Sequence, residues 1–198
     1  MILTKALQNP WFKRTVIAAC LLPLTWIAWR WYNHRLGINS IEKVAKFTGD
    51  WTIQFLLASL AITPLRRIRA LSFLAPYRKV FGLYAFFYGC LHALHYYARD
   101  VQWNLDIIKE DLTIRRFFIA GAIALLAMLP LALTSTDSAI RRLGGQRWRK
   151  LHRLAYVAGI AGAVHYLWQG KIATTWPLVY AAILFVLLAA RVPQWLKR

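Results

Sequence analysis

Acidic residues and cysteines are what this sequence has least of. Only 7 of 198 residues are Asp or Glu, against 26 Lys and Arg, and only two are cysteine. Cys20 and Cys90 form no Cys-x-x-Cys pair, which excludes a disulfide scaffold, a thiolate zinc site and covalent c-type haem attachment. Methionine is as scarce, with Met1 and Met128 alone, so methionine ligation of a metal has almost no candidate. No Gly-x-Gly-x-x-Gly loop occurs, so a nicotinamide site is not expected in this chain. A polar segment long enough for a separate soluble catalytic domain is also missing.

What is present is apolar and basic at once. Hydrophobic residues make up 59%, aromatic residues 15%, mean hydropathy is +0.42 and the formal charge is +19. So much apolar surface must face something other than water, and lipid is the economical answer. The aromatic content excludes intrinsic disorder. Nucleic-acid binding is excluded because the basic residues are spaced between long uncharged runs rather than gathered on a polar module.

Six uncharged runs of 15 to 20 residues recur along the chain. With snorkelling arginines such as Arg14, Arg30 and Arg66 and interfacial Trp11, Trp31, Tyr32 and Trp51, they predict helices over about 15–31, 48–65, 80–98, 117–136, 151–169 and 172–191. The expectation is an all-α membrane protein, one six-transmembrane-helix bundle over 1–198. The first run lacks a small-residue cleavage signature and is read as a retained helix. One side of this topology collects 17 basic residues against a single acid, Asp137, and the other 9 against six acids. The positive-inside rule therefore places both termini in the cytoplasm, with anionic lipid headgroups as natural neighbours of that face.

Four of the five histidines lie in or beside the third and fifth runs: His92, His95, His152 and His165. Ionisable side chains at membrane depth are costly and mark functional positions by default. His92 falls about 18 Å up its helix and His165 about 21 Å up its own, so the two are level. Two imidazoles at one depth suit a six-coordinate b-type haem; the plainer reading is a pair of interhelical hydrogen-bonding histidines. His95, one turn beyond His92, is an alternative ligand, a supporting residue or an interfacial histidine. His152 lies near the cytoplasmic boundary, and Arg78 points along the His92 stripe at a similar depth. Either a second haem or an ordinary interfacial histidine accounts for His152. From these residues alone the chain reads as a membrane electron conduit, with a histidine-relay channel or transporter, or a cytochrome reducing metal at the outer face, as the alternatives.

Longer motifs narrow this. Thr63-Pro64-Leu65-Arg66-Arg67, Arg78-Lys79 before Gly82-Leu83-Tyr84, Leu91-His92, the block from Gln146 through Trp148, His152 and Tyr156, and His165-Tyr166-Leu167-Trp168 together resemble the MsrQ (YedZ) family. That family belongs to the ferric-reductase-like transmembrane superfamily shared with NADPH oxidases. The resemblance implies a haem b membrane electron-transfer subunit of a bacterial protein-methionine-sulfoxide reductase system in the inner membrane. His92, His152 and His165 are then the haem-associated histidines, serving one haem b or two, joined by flavin mononucleotide (FMN). The implied acceptor is a periplasmic molybdopterin methionine sulfoxide reductase, and the implied donor the quinone pool or a cytosolic flavin reductase. Arg78 stands where the NADPH oxidase pattern has a second histidine on the third helix. For a flavin phosphate the sequence offers the basic patch Arg66, Arg67, Arg69, Arg78 and Lys79.

Overall fold

The structure is a computed structural model that describes residues 9–169 and 175–191. All regular elements among these residues are helical. The chain divides into two compact units, Met1–Gln102 and Trp103–Arg198.

In the first unit α1 (Pro10–Ala19) and α2 (Leu22–Tyr32) stand where one helix over 15–31 was expected. The cause is Pro23, whose missing N–H leaves the Ala19 carbonyl without its in-helix donor. The wholly buried Tyr88 repairs the next position: its hydroxyl donates to the Cys20 carbonyl at 3.0 Å and accepts from the Leu24 N–H at 3.1 Å. A phenol thus replaces the Cys20-to-Leu24 bond that an unbroken helix would make. Tyr84 holds the same helix pair by donating to the Ile17 carbonyl at 2.6 Å. Tyr88→Phe removes both bridging bonds inside an apolar contact and should destabilise the folded protein by about 1–3 kcal/mol, read as a lowered midpoint of thermal unfolding in detergent.

α3 (Ser40–Leu65) begins well before the expected 48, because Glu42, Lys43 and Lys46 interrupt the uncharged run without interrupting the helix. It packs along α4 (Tyr77–His95), which replaces the expected 80–98 and passes into a π-turn at Tyr96–Asp100. The Trp51, Phe55, Phe81, Tyr84 and Tyr88 rings interleave between these two helices, with centroid separations from 5.3 to 6.4 Å. Pro64 sits in the last turn of α3, and a 3-10 turn, Arg69–Leu74, leads into α4.

The second unit opens with α5 (Leu105–Ile114), capped by the Asn104 side chain, then α6 (Arg116–Leu133), close to the expected 117–136. Two short helices follow, α7 (Asp137–Leu143) and α8 (Gly145–Leu151), joined at Gly144 with φ +74°, a backbone conformation that glycine accepts readily. α8 ends on His152, and α9 (Leu154–Gln169) starts after a tight turn, so the single helix expected over 151–169 is divided at His152–Arg153. The sixth expected helix, 172–191, is described from Thr175, as α10 (Thr175–Ala189); 172–174 lie outside the described residues.

α6 and α9 approach through small residues. Ala120, Ala124 and Ala127 are buried on α6, and Ala158, Gly159 and Ala163 on α9. The opposite stripe of α6, Ile119, Ile123, Leu126 and Leu133, is exposed. That division, small inside and large apolar outside, is the pattern of helices packing within lipid. Pro10–Tyr32, taken across its break, and Arg116–Leu133 are long and apolar enough to cross a membrane, and Thr175–Ala189 is apolar but shorter.

Candidate haem-ligating histidines

Each unit holds one histidine pinned in the same manner. On α4, His92 directs Nδ1 at the Ala45 carbonyl of α3, 2.9 Å away, with the Thr48 hydroxyl at 3.5 Å. On α9, His165 directs Nδ1 at the Phe117 carbonyl of α6, 2.7 Å away. A carbonyl only accepts, so both rings carry their proton on Nδ1. The lone pair then resides on Nε2, the form in which imidazole ligates a metal, and the carbonyl bond fixes tautomer and ring plane together. Glycine faces both rings: Gly49 at His92 and Gly121 at His165.

The other two histidines are held differently. His95 bonds the Ile41 carbonyl through Nε2 at 2.9 Å and meets the Trp31 ring edge-on at 6.3 Å. Its proton therefore lies on Nε2 and its lone pair on Nδ1, the reverse of His92. His152 stacks on Trp148 with ring centroids 3.8 Å apart and places Nε2 3.1 Å from the Thr134 hydroxyl. Thr134 spends its single hydroxyl proton on the Pro130 carbonyl at 2.6 Å, so it accepts from His152 Nε2–H. Trp148 adds a bond from Nε1 to the Thr134 carbonyl at 2.9 Å, closing a knot between α6, α8 and the α8–α9 turn. In this arrangement Nε2 of His152 is a donor, the reverse of His92 and His165.

Arg78 lies in the first turn of α4, where its carbonyl accepts from the Ser59 hydroxyl at 2.9 Å. Arg66, Arg67 and Arg69 of the expected basic patch are exposed, as is Lys79. Among the described residues no three His, Cys, Asp or Glu side chains gather into a protein-only metal site. The donors come as single imidazoles, which suits a group that brings four nitrogens of its own. The carbonyls of Ala45, Phe117 and Ile41 escape sequence reading because a backbone acceptor has no letter; the glycines four residues after the first two carbonyls were the available signal.

Residues 48–163 match the family model for the ferric reductase like transmembrane component, a stretch that includes His92 and His152 and stops two residues before His165. A protein-methionine-sulfoxide reductase heme-binding subunit MsrQ from Azospira oryzae is 43% identical over 93% of this chain and 80% of its own length. MsrQ from Rhodospirillum rubrum is 44% identical over 92% of this chain and 88% of its own. MsrQ from Herminiimonas arsenicoxydans is 41% identical over 94% and 87%. A transmembrane family match and apolar helices make this a membrane protein. With a family model covering more than half of its length and MsrQ relatives similar along nearly all of it, the chain belongs to the ferric-reductase-like transmembrane family and, within it, to the MsrQ family.

Proposed function

We propose that this chain is a haem b electron-transfer subunit of a protein-methionine-sulfoxide reductase system. The observation that carries the reading is the repeated histidine geometry: Nδ1–H of His92 and of His165 each donate to a helix carbonyl, leaving Nε2 as the ligating atom. That donor type fits haem b: His92 and His165 would each offer one neutral nitrogen to haem iron. When bound, haem supplies reversible one-electron exchange at membrane depth. The chain's own part is to fix two neutral nitrogens, which ligate without adding charge. The relatives named as heme-binding subunits of this system support the same reading.

The finer assignments follow from charge and resemblance. Both termini face the cytoplasm of a bacterial inner-membrane protein, on the 17-against-9 division of basic residues. Electrons enter there from the quinone pool or a cytosolic flavin reductase and leave outward to a periplasmic molybdopterin enzyme that reduces methionine sulfoxide in oxidised proteins. Exposed Arg66, Arg67, Arg69 and Lys79, with Arg78, are the residues to meet an FMN phosphate. His152 and Arg78 belong to the inner half of the path, whether as neighbours of a second haem, a flavin or a quinone.

Donor dependence tests this reading. Purified protein should stay oxidised with NADH or NADPH alone and become reduced when a flavin reductase or a reduced quinone is added, because the sequence holds no dinucleotide loop. The reduced haem should then be reoxidised by the periplasmic sulfoxide reductase with its substrate. Rapid direct reduction by NADPH, or a reduced haem indifferent to that enzyme, would overturn it.

A further inference from the structure

Resting on the haem reading above, we infer that Gly49 and Gly121 are positioning residues that set the tautomer, ring plane and donor strength of His92 and His165, the histidines that would hold the haem. In a helix the Cβ of each residue tilts toward the N-terminus and covers the turn before it, so the side chain four residues on shields a carbonyl from the side. Ala45 and Gly49 stand in that relation on α3, Phe117 and Gly121 on α6. With glycine at the second position, each carbonyl stays open to an imidazole from the neighbouring helix while it serves its own helix.

The space is graded. A methyl group at Gly121 would lie 2.7 Å from Nδ1, 2.9 Å from Cε1 and 3.3 Å from Cγ of His165. At Gly49 it would lie 3.3 Å from both Nδ1 and Cε1 of His92. The first contact is impossible without moving the ring; the second is tight. In both cases the clash falls on the body of the imidazole, next to the atom that makes the carbonyl bond. Two separate units have arrived at the same three-part construction of carbonyl, glycine and histidine, whereas helix packing alone needs no glycine at that register.

Loss of the Nδ1–H···O bond has a definite sign. Donation to a carbonyl makes Nε2 more basic, and a more basic axial nitrogen favours the oxidised iron. Displacing the ring therefore raises the haem midpoint potential. Alanine is also the better helix former, so a glycine with no role beyond its helix would be neutral to replace.

The experiment compares purified Gly121→Ala, Gly49→Ala and Gly82→Ala proteins by haem-to-protein ratio, low-spin electron paramagnetic resonance and redox titration. A methyl group at Gly82, on α4, would meet the Ser59 hydroxyl at 3.3 Å and no histidine, so it controls for packing between α3 and α4. Expected are a raised potential and altered or lost low-spin signal in Gly121→Ala, a smaller change of the same sign in Gly49→Ala, and a wild-type spectrum in Gly82→Ala. If Gly121→Ala accumulates poorly, Gly121→Ala/His165→Ala should restore the level of His165→Ala, since the clash is with the imidazole. A wild-type spectrum and potential in Gly121→Ala, or no restoration in the double variant, would overturn the inference. Failure of the haem reading looks different: the wild-type protein itself would lack haem, or His92→Ala and His165→Ala would leave its spectrum unchanged.

Discussion

His92→Ala and His165→Ala should each abolish the low-spin b-type haem spectrum, leaving five-coordinate iron or an empty protein, while His34→Ala leaves it intact. On the proposed assignment each substitution removes a nitrogen that no neighbour replaces: Nε2 of His95 already donates to the Ile41 carbonyl, and Met128 is the sole methionine among the described residues. The fold should survive both changes. Ala45 and Phe117 retain their in-helix partners, and an interhelical side-chain bond in a membrane is worth only about 0.6–2 kcal/mol. His34 is exposed, in a loop, with φ +52°. Unchanged haem content and coordination in both ligand variants would sink the axial assignment and return these histidines to ordinary interhelical hydrogen bonding.

His152→Ala should have the second largest effect, and of a different kind. Leu154 to His165 spans about 17 Å of helix, a long way for one electron step from a donor that stays outside the bilayer. His152, knotted to Thr134 and stacked on Trp148, is the polar group at the near end of that distance. Its removal should slow haem reduction by the cytoplasmic donor by about 10- to 100-fold, the range for groups that support metal ligands, at normal haem occupancy. Arg78→Ala should act in the same direction more mildly, by loosening an anionic group rather than removing a contact. Stopped-flow reduction with a flavin reductase or reduced quinone checks both. Wild-type rates in both variants would make His152 an interfacial histidine and nothing more.

The candidate histidines stand out in the sequence because an imidazole inside an uncharged run is costly. Their geometry does not, since the acceptors are the carbonyls of Ala45 and Phe117. Counting uncharged residues locates the part of a helix that lipid can cover, not the helix itself. That is why Ser40–Leu65 was read from 48 although Glu42, Lys43 and Lys46 are fully compatible with an interfacial helical turn. Pro23 carried the signal for the break between α1 and α2, but the hydroxyl that stabilises it comes from Tyr88, far along the chain. His152 was placed on the helix of His165 because no glycine or proline separates it from Leu154. Its stacking on Trp148 is an i, i+4 contact open to sequence reading, whereas its bond to Thr134 is a tertiary contact that local sequence does not encode.

Haem-to-protein ratio with the oxidised and dithionite-reduced spectra of the purified wild-type chain is the most direct test of a membrane electron conduit. At least one b-type haem per chain, six-coordinate and low-spin in the oxidised state and fully reducible, is the predicted result. A chain that folds and purifies from membranes without haem, or with only high-spin iron that His92→Ala does not alter, would contradict it.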